Sequence, residues 1–302
     1  MNKNIFRRLP EKIWKYRVCY LFLAPYALVF ILFFVTPLVI SVFYSFTYYN
    51  ILEPPKFTGL RNYINLLLGD DVFVKAMKNT FVMAAVTGPI GYLASFLFAW
   101  FINELPRYIR AVVTLIFYAP SISGAVYMIW AIIFSGDAYG YINGLLMSLG
   151  ILDQPVFWLT DPRYMMPVIL VVILWMSLGT GFLAFLAGFS TIDESLYEAG
   201  LMDGIKNRWQ ELWFITLPNM KGMLMFGAVM AITQSFGVAD VTTALAGFPS
   251  TDYAVHTVVN HLVDYGSVRF EMGYASAIAT LLFFTMIICN ALVQKMLRRV
   301  GT

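Results

Sequence analysis

The chain has 302 residues, of which 60% are hydrophobic and 12% charged, with a formal net charge of +3 and a mean hydropathy of +0.74. Soluble domains run near 45–50% apolar and about 25% charged. This balance excludes a soluble enzyme and a disordered chain, and leaves an integral membrane protein.

A spanning helix needs about 20 mostly apolar residues. In chain order, six such stretches are predicted at residues 18–46, 80–102, 111–134, 164–189, 223–241 and 273–293. The runs are continuous rather than alternating, which fits helices and not a barrel. The predicted fold class is therefore all-α, a polytopic membrane protein of six transmembrane helices. The first run is too long for a signal peptide and has no small-residue cleavage site, so it reads as a retained span. Pro25, Pro37, Pro89 and Pro120 interrupt the spans. Such breaks are tolerated where neighbouring helices or a cavity re-satisfy the backbone. Cys19 and Cys289 lie in apolar runs and read as small buried hydrophobes rather than a disulfide.

Orientation follows from the basic residues. Fourteen of the 20 lysines and arginines fall in the two termini and in the connections after the second and fourth spans. The positive-inside rule then places both termini and those two connections in the cytoplasm. The expected organisation is a cytoplasmic segment 1–17, a transmembrane domain 18–294 with a cytoplasmic loop at 190–222, and a tail 295–302. Aromatic residues in the outer connections, Tyr48, Tyr49 and Trp158 among them, suit interfacial anchoring. His256 and His261, five apart in the last outer loop, read as a hydrogen-bonded or solvated pair in preference to a metal pair.

Catalytic and energy-transducing signals are missing. No Gly-Lys dipeptide occurs, so the chain has no P-loop, and neither a metalloprotease helix nor a nucleophile elbow is present. No charged residue sits near the middle of a span, which counts against an ion-coupled secondary transporter, although carbonyl-coordinated Na⁺ would escape that test. No cofactor is expected, and the energy for transport must come from a partner.

The connection after the fourth span is the most informative stretch. Thr191 with Glu194, or Ser190 with Asp193, fits a capped helix start, with Asp193 and Glu194 in the first turn. Ile192, Leu196, Ala199 and Gly200 share one helical face that ends in small residues. Gly204 can adopt the left-handed conformation that stops a helix. A second short helix is predicted at 206–214, ending before Pro218.

Glu198, Ala199, Gly200, Asp203 and Gly204, followed by Ile215, Leu217 and Pro218, resemble the EAA loop of bacterial ABC importer permeases. Gly200 stands where that motif has its second alanine, and ten residues rather than nine separate Gly204 from Ile215. Further segments resemble the carbohydrate-type permeases, in particular the first partner of the maltose and glycerol-3-phosphate pairs. They are the run from Thr58 to Tyr63, Asn79 with Thr80, the run from Tyr139 to Asn143, Trp158 with Asp161 and Pro162, and Trp175 with the run from Phe185 to Gly188. The likeness covers roughly residues 18–295 and weakens at Gly247, Phe248 and Pro249.

The resemblance implies the type I importer fold, a non-catalytic subunit, and half of a sugar pathway shared with a second homologous permease. It implies two cytoplasmic ATPases docked on EAA helices, an external solute-binding protein and a carbohydrate substrate, with membrane lipid but no nucleic acid as surroundings. It makes 192–204 the coupling helix, with Glu198 reaching a basic group on the ATPase, Ala199 and Gly200 packed at the contact, and Gly204 in the turn. Sugar contacts in such permeases tend to come from the helices flanking the EAA loop. Here these offer Trp175, Ser177 and Thr180, then Thr233, Gln234, Ser235 and Gly237. Ser177, Thr180 and Ser235 fit helix packing as well as a sugar path. Tyr118, Tyr127 and Trp130 in the third span fit packing or interfacial positions. Gln234 is the strongest pathway candidate, because a mid-span amide needs polar partners.

Overall fold

The computed structural model describes residues 14–297 apart from Ala125. Its regular structure is almost entirely helical, and the described residues hold one two-stranded antiparallel hairpin, Thr47–Tyr48 against Lys56–Phe57, in the connection after the first span. Five helical segments are long and apolar enough to span a membrane: Arg17–Tyr44, Asp71–Asn103, Pro162–Ser190, Lys221–Ala246 and Met272–Leu297. A sixth is the bent pair Arg107–Ile122 and Val126–Ile133.

The predicted spans are all present, with one boundary corrected and three spans bent or broken. The second begins at Asp71 rather than at 80, so Lys75 and Lys78 ride on the helix. Its 33 residues extend about 50 Å, longer than the roughly 30 Å hydrocarbon layer, so charged residues are accommodated at its N-terminal end. Asp70 caps it by accepting from Phe73 N–H at 2.8 Å. The third span is not straight. Pro120 lacks a donor, Ser123 is extended, and the two helices meet at 83°. The fourth breaks between Trp175 and Thr180, and the fifth between Phe236 and Asp240.

The first span touches the rest of the protein chiefly through Thr36–Tyr44, which lies along the sixth span. None of its residues is buried, and Cys19 is exposed on it rather than packed away. The remaining spans enclose two main cores. One gathers Phe96, Trp100, Phe182, Phe185, Leu212 and Met220 where the second, fourth and fifth spans meet the connection after the fourth. The other gathers Met83, Met165, Ile169, Val172, Val241 and Val255.

Two prolines are absorbed in the same way. A wide π turn, Ile31–Val35, precedes Pro37, and another, Leu212–Thr216, precedes Pro218. In each the N–H just past the turn reaches back five residues, Thr36 to Ile31 and Leu217 to Leu212. The helix therefore continues through the proline instead of clashing with it.

Candidate functional site

Two features are candidates for function: a cavity at the broken spans and the helical hairpin between them in sequence. The cavity, about 450 Å³, lies where the breaks of the fourth and fifth spans face the second and third. Irregular backbone at such depth is stable only where it lines a cavity or is packed by protein. Gly179 starts the second half of the fourth span with φ −100° and ψ −140°. Gly237 ends the first half of the fifth.

Of the sequence-derived candidates, Ser177, Thr180, Thr233, Gln234 and Gly237 all line this cavity, as does Ser235. Trp175 does not. It sits just before the break and packs edge-on against Trp130 at 5.3 Å. Tyr118 and Tyr127 line the cavity and Trp130 does not.

Several hydroxyls donate back to their own helix: Ser177 to Leu174 O at 2.7 Å, Thr233 to Val229 O at 2.9 Å and Ser121 to Tyr118 O at 2.8 Å. They meet a ligand as acceptors. Gln234 donates to Thr180 Oγ1 over a long 3.4 Å, so its amide is only loosely engaged and is exposed to the cavity. Tyr92 and Phe185 add aromatic wall. Asp240 is the one carboxylate among the described lining residues, and no lysine or arginine joins it. Sequence reasoning missed its position, because a continuous fifth span puts it at the membrane edge. Gly237, three residues earlier, marks the break that turns it inward.

The cavity floor depends on one close approach. Gly227 lies against Phe185, and a Cβ there would fall within 2.6 Å of Phe185 Cε1. The ring cannot step aside, since it is fully buried and held edge-on by Tyr92 at 5.4 Å and Phe96 at 5.5 Å.

In the hairpin, the first helix is Glu194–Met202. Its cap is Asp193 itself, accepting from Ser195 N–H at 3.0 Å, and not Ser190 or Thr191, whose hydroxyls turn back to Leu186 O and Gly188 O. The helix ends in a Schellman motif: Ile205 N–H donates to Gly200 O, Gly204 N–H donates to Leu201 O, and Gly204 holds φ +91°.

The predicted small-residue face is divided. Glu198 and Ala199 are exposed, together with Leu201 and Met202, whereas Gly200 is buried inside the hairpin. A Cβ on Gly200 would meet Ile215 Cδ1 at 2.6 Å and Ile205 Cδ1 at 3.1 Å. Its smallness therefore serves the pairing of the two hairpin helices and not an outer contact. Tyr197 Oη and Thr216 Oγ1, 3.0 Å apart, fasten the same pairing.

The second hairpin helix starts at Arg208 under an Asn207 cap and does not stop before Pro218; with its π turn it runs on to Asn219. That wide turn holds one residue more than an α turn, the amount by which this loop exceeds the motif it resembles. Asp203 is the exposed C-cap of the first helix, while Leu217 and Pro218 are half-buried.

On the opposite side of the protein, Asp70 gathers three donors. His261 Nε2 lies 3.1 Å, Tyr274 Oη 3.0 Å and Tyr265 Oη 3.4 Å from its Oδ2. Burial pushes the Asp70 carboxyl up, but the Phe73 N–H, His261 and Tyr274 outweigh it and hold it below the usual carboxylate range. Burial lowers His261 despite that carboxylate, and burial with the neighbouring His261 lowers His256 to about 4. The two histidines are buried rather than solvated, and no cluster able to hold a metal occurs among the described residues.

Residues 87–301 match the family model described as the binding-protein-dependent transport system inner membrane component. The probable ABC transporter permease protein YesP of Bacillus subtilis is 32% identical over 266 residues, covering 86% of this chain and 84% of that protein. The arabinooligosaccharides transport system permease protein AraP of the same organism is 28% identical over 280 residues, covering 92% and 87%. Among solved structures, a chain of a bacterial ABC transporter involved in import of the acidic polysaccharide alginate superimposes with a TM-score of 0.76 at 23% identity, over 98% of this chain and all of that one.

Proposed function

The chain belongs to the family of binding-protein-dependent transport system inner membrane components, and we propose that it is the permease of an ATP-driven importer for a neutral or weakly charged saccharide. The observation that carries this reading is the cavity at the two broken spans, walled by hydroxyls, one amide and aromatic rings. Such a surface suits a hydroxyl-rich ligand. Sugar-transporting relatives such as AraP support the same class.

In this reading the chain is non-catalytic, supplies half of the pathway in a bacterial cytoplasmic membrane with both termini inside, and pairs with a second permease. An external binding protein delivers the sugar. Two ATPases close on ATP, and one of them holds the exposed face of Glu194–Met202. Glu198 and Ala199 make that contact, and Gly204 fixes the turn that presents it. Closure reaches the cavity as a rigid-body movement. The ion-coupled alternative is set aside, because the relatives that match over most of the chain are ABC transport permeases.

Co-expression with a second permease, the ATPase and the binding protein tests this reading. A stable complex with binding-protein-stimulated ATP hydrolysis and saccharide uptake into proteoliposomes is expected. Uptake by the lone chain, or uptake driven by an ion gradient without ATP, overturns it.

A further inference from the structure

The hairpin is continuous in sequence with the fourth and fifth spans, but it also grips the second. Trp209 meets Trp100 edge to face at 5.2 Å. Arg208 bridges two carboxylates, Nη1 to Glu211 at 2.6 Å and Nη2 to Glu104. Glu104 is the residue that caps the second span. The following turn is also fastened, since Arg110, early in the third span, donates to Asn103 O at 2.6 Å and to Leu105 O at 3.2 Å.

These contacts lie at the end of a helix whose next turns form cavity wall. The second span carries Thr87, Gly91, Tyr92 and Ser95 on the cavity and Trp100 in the core beneath it. Trp100 is almost fully buried, while Trp209 and Arg208 lie mostly on the surface. An exposed ion pair adds little to stability. A planar guanidinium joining two carboxylates does fix direction, which a lysine point charge cannot.

We propose that Arg208 and Trp209 clamp the hairpin to the second span through Glu104 and Trp100, and so pass displacement of the coupling helix directly into the cavity wall. All four are positioning residues and touch neither sugar nor nucleotide. The proposal rests on the reading of the hairpin as the ATPase contact.

The test uses the assembled complex in proteoliposomes and measures saccharide taken up per ATP hydrolysed, together with complex yield. Glu104→Arg, Arg208→Glu and Trp209→Ala each lower uptake per ATP by about fivefold, within the range by which residues outside both sites alter coupling, and complex yield stays near wild type. The exchange Glu104→Arg with Arg208→Glu restores most of the loss, and Trp209→Phe retains more than Trp209→Ala. A lost pairing that only weakened the fold would lower yield without changing the ratio. With a wild-type complex that responds to its binding protein, variants that keep the wild-type ratio, losses explained wholly by yield, or an exchange that restores nothing overturn the clamp. A wild-type complex that ignores its binding protein overturns the underlying reading, and the clamp with it.

Discussion

Gly227→Ala tests the packing beneath the cavity in one methyl group. In an exposed helix the change gains about 1 kcal/mol of propensity. Here the new Cβ would press on Phe185, and the boxed ring offers no free direction. Overpacking of this kind costs about 1–3 kcal/mol, and the immobile ring places it near the upper end. The net loss is about 1–2 kcal/mol, a fall in Tm of roughly 2–3 °C for a chain of this length, read by thermal unfolding of the purified complex. Phe185→Leu makes room, so the double variant is more stable than the sum of the singles by about 1 kcal/mol. A Gly227→Ala complex that melts at or above wild type, or a strictly additive double variant, refutes the argument.

Gly204→Val places a β-branched side chain at φ +91°, a strain of about 1–2 kcal/mol. It abolishes binding-protein-stimulated ATP hydrolysis and uptake, whereas Gly204→Asn, which tolerates this backbone, retains part of both. Gly200→Leu cannot fit between Ile205 and Ile215 and lowers complex yield, while Gly200→Ala, whose methyl meets only side-chain ends, changes it little. The buried histidines make stability pH-dependent. His256 takes up its proton only near pH 4 when folded but near pH 6.5 when unfolded, so the unfolded chain binds more protons between those values. Stability is therefore full above about pH 6.5 and falls by up to about 3 kcal/mol toward pH 4. In detergent, His256→Leu flattens the dependence of Tm on pH over that window, and an unchanged slope counts against the assignment.

The spans are legible in the sequence because each is a long unbroken apolar run, and hydropathy alone separates helix from barrel. What hydropathy cannot register is where a run is broken while staying apolar. The fourth span breaks at Met176, Ser177, Leu178 and Gly179, and the fifth at Gly237, Val238 and Ala239. Only the glycines mark these places. The N-terminal end of the second span is hidden for the opposite reason, since Lys75 and Lys78 make a helix look like a loop.

For the site, polar residues in apolar runs were informative. Ser177, Thr180, Thr233, Gln234 and Gly237 lie in two separate stretches and meet on one cavity. Trp175 reads, from the resemblance, as the aromatic neighbour of Ser177 and Thr180 on the span before the loop, and the break that begins at Met176 leaves it against Trp130 instead. In the hairpin, periodicity put Gly200 on the same face as Ala199, because one helix read alone shows no partner. The partner is Ile215, fifteen residues on, in the second hairpin helix.

The central claim is that the cavity at the broken spans is the path of the sugar, and Gln234→Leu tests it most directly. The amide is exposed to the cavity and makes one long contact, to Thr180, so its loss leaves little unsatisfied in the fold. Uptake and complex yield are measured on one preparation of the reconstituted complex. The account predicts wild-type yield and basal ATP hydrolysis with reduced uptake or altered saccharide selectivity. Normal uptake with unchanged selectivity, or a loss of uptake matched wholly by a loss of complex, would contradict it.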